Sequence, residues 1–418
     1  MKKIILLFSL SVFLFASCEN SGGEPAPEEP VILTEPINIE LTASEAVMTS
    51  DGQDFALKFF STVYDAEKKE NIFVSPFSLN MALGVLRNGA EGKTKQEMQD
   101  VLGMKDFSDG DVNAYYKKLK EALLATDPTL TLAIANSVWY DKDKVTIKSE
   151  FADLSKTWFD APVTGLDYSP MNEAVAIVNQ WCEDNTNGLI KDMLKDLTDV
   201  EILNALYFKG NWSDHFDASK TKKQDFTREN GSKIKVDLMN KEQELSYYED
   251  AYLSYASVPY GNGAYSMYFV LPNENVDIGE MTARLAAPGY WEQCIAGGGR
   301  FMVNLYVPKF KIEYKNQDVR DMLIKMGMAI TCGDKAEFPH IANGNFFIGR
   351  VTQKTYIQVD EKGTEAAAVT EIGMLGSSGP GEVVVPKVFR ADRPFLFMIL
   401  ERSTGTILFM GKVGNPAA

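Results

Sequence analysis

The chain has 418 residues, 45% of them hydrophobic and 11% aromatic, which is enough for a large buried core and unlike a disordered composition. Asp and Glu number 58 against 42 Lys and Arg, giving a formal net charge of -16. A surface with this charge repels a phosphate backbone, so the composition argues against nucleic acid as a partner. One large domain or two ordinary ones would fit the length.

The first residues predict a secretion signal followed by a lipid anchor. Lys2 and Lys3 precede an apolar run, Ile4 to Ala16, that is too short for a membrane-spanning helix. The run ends in Phe-Ala-Ser-Cys, which is similar to a bacterial lipobox, so Cys18 would be acylated and become the first mature residue. We therefore expect a signal peptide at 1–17 and a protein anchored outside the cytoplasm to a bacterial outer membrane, facing the cell surface or the periplasm. The alternative is an ordinary secretion signal with an incidental cysteine.

Residues 18–48 are predicted to form an extended tether, because they are rich in Pro, Glu and Gly and cannot bury enough apolar surface to fold. From 49 to 418 the chain has no linker, low-complexity block or internal repeat, so we expect a single large domain. The cysteines of the mature chain after Cys18 are odd in number and lack CxxC spacing. This pattern indicates buried free thiols rather than a disulfide framework or metal site, at Cys182, Cys294 and Cys332.

The first half of this domain is predicted to be mostly helical. The segment NIFV favours a short strand, and Ser75 followed by Pro76 is typical of a helix cap and first turn. Gly89 and Gly92 would end that helix. Further helices are predicted at Asp51–Tyr64, Thr94–Leu102, Asp109–Leu124, Ser149–Phe159 and around Met171–Glu183, with a strand among them at Leu130–Tyr140.

Long apolar strands dominate the second half. They are VEILNALYFKGNW, YLSYASVPYG, YSMYFVLPN, RFMVNLYVPKFKIEY, TYIQVDEKG and PFLFMILERSTGTILFMGKV. Several are apolar on both faces, which is typical of a sheet covered on both sides. Helices early and strands late, without regular alternation, predict an α+β fold with helices packed on mixed or antiparallel β-sheets.

The chain lacks the residue patterns of familiar enzymes. Its histidines, His215 and His340, lie beside no G-x-S-x-G nucleophile motif and in no H-E-x-x-H pair. The run from Gly297 to Gly299 precedes strand residues rather than a helix, so it does not indicate a phosphate-binding loop. We therefore expect no enzyme activity, no catalytic residue, no metal site and no cofactor.

Several segments in order along the chain are similar to those of one protein family. They are NIFVSPFSLNMALGVLRNGAEGKTKQEM, NALYFKGNW, VPKFKIEY, DEKGTEAAA and RPFLFMILERSTGTILFMGKVGNP. With these segments the chain resembles the serpins, a family of serine protease inhibitors. The resemblance implies a serpin-like fold with an exposed reactive loop at about residues 361–388, and a monomer.

The resemblance assigns the start of that loop as a hinge, the segment that becomes an additional strand of the main sheet after cleavage. Alternate residues must then face the core, and Thr364, Ala366, Ala368 and Thr370 are all small. Gly363 supplies backbone freedom for the turn. A merely flexible surface loop is the alternative, but it does not explain this period-two pattern. The full hinge is Glu361, Gly363, Thr364, Glu365, Ala366, Ala367, Ala368, Val369 and Thr370.

Other positions carry over from the family one at a time. Ser75, Ser78, Asn204 and Gln353 match the shutter, a polar cluster beneath the sheet centre where strands part, and Trp212 matches the breach, where the loop first enters. Each also has a plainer alternative. Ser75 would be a helix cap and Ser78 a first-turn hydroxyl. Asn204 would be a polar group at a strand start and Trp212 a core aromatic. Many members place a histidine where this chain has Gln353, so the resemblance does not extend to a pH dependence of sheet opening.

The resemblance implies a suicide-substrate inhibitor of serine endopeptidases, and of cysteine endopeptidases as a further target class. The family's spacing from Glu361 places the scissile bond at Ser377–Ser378, whose small residues suit an elastase-like, subtilisin-like or papain-like protease. Cleavage at Leu375–Gly376 or Met374–Leu375 would instead suit a chymotrypsin-like protease. The partners would be the target protease and, through the lipid anchor, the membrane. The alternative is a non-inhibitory serpin-like binding or carrier protein.

Overall fold

The structure is a computed structural model and describes residues 35–188, 190–316, 319–344, 347–348, 350–364 and 385–418. The helices within these ranges are α1 (Ala43–Ala66), α2 (Pro76–Arg87), α3 (Gly92–Leu102), α4 (Asp109–Ala125), α5 (Ser149–Phe159), α6 (Met171–Asp184), α7 (Ile278–Leu285), α8 (Tyr290–Gly297) and α9 (Arg320–Met326). The strands are β1 (Asn71–Val74), β2 (Thr131–Asp141), β3 (Val163–Leu166), β4 (Val200–Asn211), β5 (Lys222–Thr227), β6 (Lys233–Glu249), β7 (Leu253–Tyr260), β8 (Tyr265–Pro272), β9 (Gly299–Pro308), β10 (Phe310–Asn316), β11 (Gln353–Val359), β12 (Gly363–Thr364), β13 (Lys387–Arg390), β14 (Phe395–Glu401) and β15 (Ile407–Val413).

These strands form a larger and a smaller sheet. The larger sheet has the order β1-β15-β14-β8-β7-β6-β9-β13, with β5 beside β6, and the smaller has the order β10-β11-β12-β4-β2-β3. Most neighbours are antiparallel, whereas β13 runs parallel to β9 and β3 runs parallel to β2. Helices packed on mixed sheets confirm the predicted α+β fold.

Helix α2 lies between the two sheets, packed against β15 of the larger and β4 of the smaller. It starts as its sequence predicts: the Ser75 hydroxyl accepts the Ser78 N–H at 3.1 Å, and Pro76, which has no N–H to satisfy, occupies the first turn. Nearly all of α2 is buried, with Ala82 and Leu86 partly exposed. The polar N-terminus of α2 is therefore held inside the protein, beneath the smaller sheet.

Helix α1 begins at Ala43, before the predicted domain boundary at residue 49. Thr42 and Glu45 form a capping box, which satisfies orphan N–H groups of the first turn. Ahead of the helix, the Ile39 N–H donates to the Ser403 hydroxyl at 2.9 Å. The last residues of the predicted tether are therefore packed on the domain. The composition of residues 18–48 suggested an extended segment, but the Thr42 and Glu45 capping pair marks the start of a helix within it.

Two parts of the strand prediction also differ from the structure. The segment RFMVNLYVPKFKIEY is divided into β9, which pairs with β6, and β10, which pairs with β11 of the other sheet. Pro308 stands at the division, where it has no N–H to donate to a continuing ladder. The long strand β6 was not predicted, because its middle, Asn240 to Glu244, is a run of polar residues that hides the strand period and of which even Lys241 is buried.

The same ranges offer neither a membrane-spanning helix nor a metal cluster. No helix there has both the length and the apolar composition needed to cross a bilayer. Nor do the described residues contain three or more His, Cys, Asp or Glu side chains grouped to hold a metal ion. Cys182, Cys294 and Cys332 are buried. Burial raises the pKa of Cys182 to about 12 and that of Cys294 to about 11, so both thiols stay protonated near neutral pH.

Candidate functional site

A very short strand stands at the centre of the smaller sheet. Thr364 of β12 pairs with Val359 of β11 on one side and with Gly210 of β4 on the other. Both pairings are antiparallel, so β4 and β11 run parallel to each other on either side of β12. Over the described residues no ladder joins β4 directly to β11. The sheet therefore has a central gap between β4 and β11. β12 fills only its top, which is the end of the gap next to Gly210 and Val359.

A tight turn connects β11 to β12. The Asp360 N–H donates to the Gly363 carbonyl at 3.0 Å, and the Lys362 N–H donates to the Asp360 carboxylate at 2.8 Å. Gly363 has a φ of 151°, which L side chains rarely adopt, and a Cβ there would overlap the Gly210 carbonyl and lie 2.6 Å from Asn211 Cα. Glycine is therefore required for the chain to turn back so close to β4.

Thr364 is the first buried side chain after this turn. It is 2% exposed, and its hydroxyl lies 2.6 Å from the Tyr260 hydroxyl. Burial raises the pKa of Tyr260 far above its usual range, so the pair is a hydrogen bond between neutral hydroxyls. Tyr260 in turn stacks on Trp212, with ring centroids 4.3 Å apart. The position faces the core and tolerates only a small residue.

Trp212 holds the turn through its hydrogen bonds. Its indole N–H donates to the Asp360 carbonyl at 2.9 Å, and its backbone N–H donates to the Lys362 carbonyl at 2.8 Å. The Phe216 N–H donates to the Glu361 carbonyl at 2.9 Å. Three successive carbonyls of the turn are thus fixed by the segment that follows β4, and Trp212 itself is fully buried.

Glu361 adds an electrostatic contact at the same place. Its carboxylate lies 2.8 Å from the Lys309 ammonium and accepts the Thr221 hydroxyl at 2.9 Å. Burial by itself raises the pKa of Glu361, but Lys309 and the hydrogen bonds outweigh it, so the net pKa lies below the usual value. Glu361 is therefore ionised at neutral pH and ties the turn to the segment between β9 and β10.

Beneath the gap, the start of α2 is bonded to the β4 side of the sheet. The Ser78 hydroxyl donates to the Asn204 side-chain oxygen, and the Asn204 amide donates to the Asn136 side-chain oxygen on β2. The Asn136 amide continues the chain to the Phe159 carbonyl at 3.0 Å. These contacts hold β4 and β2 on the end of α2.

A separate set of bonds joins the β11 side to Phe73 of β1 and to Ser75, the residue just ahead of α2. The Gln353 amide donates to the Ser75 carbonyl at 2.7 Å, and the Thr355 hydroxyl donates to the Phe73 carbonyl at 2.6 Å. The Gln353 side-chain oxygen is buried and accepts no hydrogen bond from the described part of the chain. The two edges of the gap are thus held by separate hydrogen bonds, the β4 edge by Ser78 of α2 and the β11 edge by Phe73 and Ser75 ahead of it.

The structure brings the assigned positions together in two places. Ser75, Ser78, Asn204 and Gln353 meet beneath the gap, and Trp212 meets Glu361, Gly363 and Thr364 at its top. The rest of the assigned residues lie outside the described residues, namely Cys18, Glu365, Ala366, Ala367, Ala368, Val369, Thr370, Ser377 and Ser378.

Some residues of these clusters were not singled out in the sequence. Asn136 is buried in the middle of an otherwise apolar strand, and that isolated amide was a usable signal. Thr355 could have been found from the alternation of its strand, because it lies two residues after Gln353 and so faces the core on the same side of the sheet. No signal in the sequence indicated the contacts of Tyr260 and Lys309, because these contacts join segments that are far apart in the sequence.

Comparisons with known proteins agree with this architecture. Residues 50–416 match the family described as Serpin (serine protease inhibitor). The chain is 31% identical over 384 residues to a serine protease inhibitor of Cyanea capillata, covering 89% of this chain and 100% of the relative. The native state of tengpin, a thermophilic serpin, is similar with a TM-score of 0.80 and 28% identity over 93% of this chain and 97% of tengpin. Human thyroxine-binding globulin complexed with its ligand has a TM-score of 0.79 and 28% identity over 90% of this chain and 100% of the globulin.

Proposed function

Because the chain belongs to the serpin family, whose members are generally protease inhibitors rather than enzymes, we propose that it inhibits endopeptidases as a suicide substrate. The observation that carries this proposal is the position of β12. Its residues, Gly363 and Thr364, already occupy the top of the central gap. A strand that has begun to add to a sheet can continue once its far end is released.

The chemistry belongs to the target protease. Its serine or cysteine side chain attacks the carbonyl carbon of Ser377, forming an ester or thioester, and the bond to the nitrogen of Ser378 breaks. The protease's own general acid protonates the leaving amine. This chain supplies the peptide bond and the sheet that receives the cut end. Its role is to move the bound protease before water completes hydrolysis.

The energy of insertion cannot come from the new ladder alone. Ordering each residue costs about 1–2 kcal/mol of backbone entropy, whereas each added hydrogen bond returns about 0.5–1.5 kcal/mol net. Burial of side chains in the gap and relaxation of the parted strands must supply the surplus. The intact protein is then held by a kinetic barrier, and cleavage removes the constraint that maintains it.

Small residues at the proposed bond favour an elastase-like or subtilisin-like serine protease, with papain-like cysteine proteases as a further class. We propose that acylated Cys18 anchors the domain to a bacterial outer membrane, facing the cell surface or the periplasm, with the monomer free to meet its target at the end of a tether. Serine and cysteine targets are distinguished by the lability of the trapped ester or thioester to hydroxylamine.

The test is incubation of the purified domain with a panel of proteases. We expect a covalent complex on denaturing gels with at least one of them, and mass spectrometry should locate the cut at Ser377–Ser378. The similarity to thyroxine-binding globulin keeps a carrier function as the second candidate. A carrier would be cut in the loop without any stable complex, and that result with every protease of the panel would contradict inhibition.

A further inference from the structure

An apolar cavity of about 260 Å³ lies at the lower end of the gap, away from β12. One wall is α2, a second is the start of β4, and a third is the segment between α9 and β11. The apolar side chains that matter most are Leu79, Ala82 and Leu83 of α2, Val200 and Ile202 of β4, and Val351 ahead of β11. The cavity therefore touches both edges of the gap and the helix beneath them.

The cavity is accessible from the protein surface. Phe347, one of its lining residues, is 50% exposed, and the side chain of Asp199, another lining residue, is 57% exposed. A small molecule can therefore reach the apolar walls from solvent. Apolar walls with a few polar groups are the usual composition of small-molecule sites.

One polar group in the wall is incompletely bonded. The terminal nitrogens of Arg350 are occupied, since one pairs with the Asp196 carboxylate and the other lies 3.1 Å from the Glu201 carboxylate. The Arg350 Nε–H is buried, however, and donates to no acceptor within the described residues. A buried donor without an acceptor is costly, and an incoming oxygen atom would recover that cost.

The charges at and next to the cavity favour a neutral molecule. Arg350 is paired with both Asp196 and Glu201, and the Lys144 ammonium lies 3.0 Å from the Asp199 carboxylate. Carboxylates outnumber cations among these groups, so an anion finds no excess positive charge. A cation could not accept the Arg350 Nε–H, and it would lose its hydration against apolar walls.

The volume limits the size of the molecule. A cavity of about 150 Å³ lined by Leu, Ile and Phe holds one benzene molecule. A cavity of about 260 Å³ has room for a six-membered ring and a short substituent. An alcohol would bring an O–H donor for which the apolar walls offer no acceptor, whereas a carbonyl group brings an acceptor alone.

We propose that this cavity binds a small neutral carbonyl compound, with an apolar body of about ring size and an oxygen that accepts from the Arg350 Nε–H. The bound molecule contacts α2 and both edges of the gap, so it stabilises the intact protein. This proposal goes beyond protease inhibition, no step of which requires the ligand. Its test uses uncut protein, so its failure would leave the inhibitory function in place.

The probe is acetophenone, which has one aromatic ring and one carbonyl group, titrated into intact protein and followed by ligand-observed NMR. We expect saturable binding with a dissociation constant of about 0.1–1 mM, as for a ligand of about nine non-hydrogen atoms. At about 10 mM probe the melting temperature should rise by about 2 °C. Benzoate and benzylammonium, which are similar in size but charged, should bind at least about tenfold more weakly. No saturable binding of acetophenone, or equal binding of benzoate, would overturn the proposal.

Two variants test the location of the probe. Ala82→Phe places a phenyl ring in the cavity and should abolish binding, because Ala82 lines its α2 wall. Ala46→Phe adds the same ring at an exposed position of α1 and should bind acetophenone like the wild type. Equal binding by the two variants would show that the probe binds elsewhere and would overturn the assignment of the cavity.

A third variant tests the hydrogen bond and also serves if Ala82→Phe does not fold. Arg350→Lys keeps the positive charge opposite Asp196 and Glu201 but has no Nε–H. It should weaken acetophenone binding about 2- to 10-fold and leave the binding of toluene, which has no acceptor, unchanged. Equal losses for the two probes, or no loss for either, would overturn the role of Arg350 as the donor.

Discussion

At the scale of single residues, Thr364 is already in the sheet before cleavage, and the proposed mechanism requires this position to hold a residue that can be buried there. We predict that Thr364→Arg abolishes trapping of the target protease while the loop is still cut at the same bond. A guanidinium buried beside Tyr260 without a counter-charge costs several kcal/mol, so we expect β12 of the intact variant to leave the gap, and insertion after cleavage then has to overcome that cost. A penalty of about 3 kcal/mol slows insertion by more than about a hundredfold, at about 1.4 kcal/mol per tenfold in rate. The ratio of covalent complex to cleaved inhibitor on denaturing gels measures the effect.

Glu365→Arg is the matched control for that substitution. The period of a strand points the next residue away from the core, so this variant should trap the protease almost normally. Equal trapping by the two variants would show that the hinge does not insert in the proposed register. Because Thr364 is buried before any cleavage, the melting temperature of the intact Arg variant also reports how far β12 is displaced.

The contact between Glu361 and Lys309 predicts a pH dependence of the intact protein. The folded pKa of Glu361 lies below its ordinary value of 4.5, so its contribution is complete above that pH and is lost as the pH falls through the folded pKa. Both groups are partly exposed, and we expect about 1 kcal/mol or less. Glu361→Gln should therefore be less stable than the wild type at pH 7, and the two denaturation midpoints should converge below about pH 4. A difference that stays constant down to pH 3 would exclude the ion pair as its cause.

At the scale of elements, the proposed mechanism makes the start of α2 a latch on the β4 edge of the gap, because Ser78 is bonded to Asn204 there. Asn204→Ala would leave the buried Ser78 hydroxyl and Asn136 without their partners, costing about 1–3 kcal/mol. We predict a lower melting temperature and faster insertion of the uncut loop on mild heating. Native gels and resistance to loop-directed proteolysis would follow that conversion.

A second asparagine provides the control for this change. Asn240 lies on β6 in the larger sheet, where its amide donates to the Asn304 side-chain oxygen at 2.7 Å. Asn240→Ala should lower the melting temperature by a similar mechanism but leave the conversion rate unchanged, since β6 does not border the gap. If both variants convert equally fast, general destabilisation rather than release of the latch is responsible.

Local sequence signals predicted helices with a clear apolar period and strands with continuous apolar runs. Ser149–Phe159 was predicted with its observed bounds, and Asp109 was predicted as the start of α4. β6 escaped prediction because its pairing partners, not its own pattern, keep it extended. The same limit applies to the site: Ser75 could be found from its cap, but the meeting of Tyr260 with Thr364 depends on long-range register.

At the scale of the whole molecule, anchor and inhibitory domain are separate in the proposed arrangement. Cys18→Ala should therefore move the protein from the membrane fraction to the soluble fraction and leave inhibition intact. Fractionation followed by a protease assay on both fractions measures the two effects together. A variant that stays in the membrane fraction after a high-salt wash would contradict lipidation at Cys18.

The smaller sheet also divides the molecule into two mechanical parts. β10 and β11 lie on one side of the gap and β4, β2 and β3 on the other, and within the described residues only β12 bridges them. Opening the gap can thus occur by movement of one group of strands against the other without breaking a long ladder. Under the proposed mechanism, this arrangement would let the fold accept an additional strand while its core stays packed.

The closed turn at Gly363 has a consequence for kinetics. Starting a new strand usually requires the chain to find its register and lose loop entropy before any hydrogen bond rewards it. Here the first pairs, Gly363 with Asn211 and Thr364 with Gly210, are made when the protein folds. Nucleation is then complete before a protease arrives, and what remains is propagation, one rung after another, in a register that is already set. The speed of the trap should accordingly depend little on the length of the loop beyond the cut.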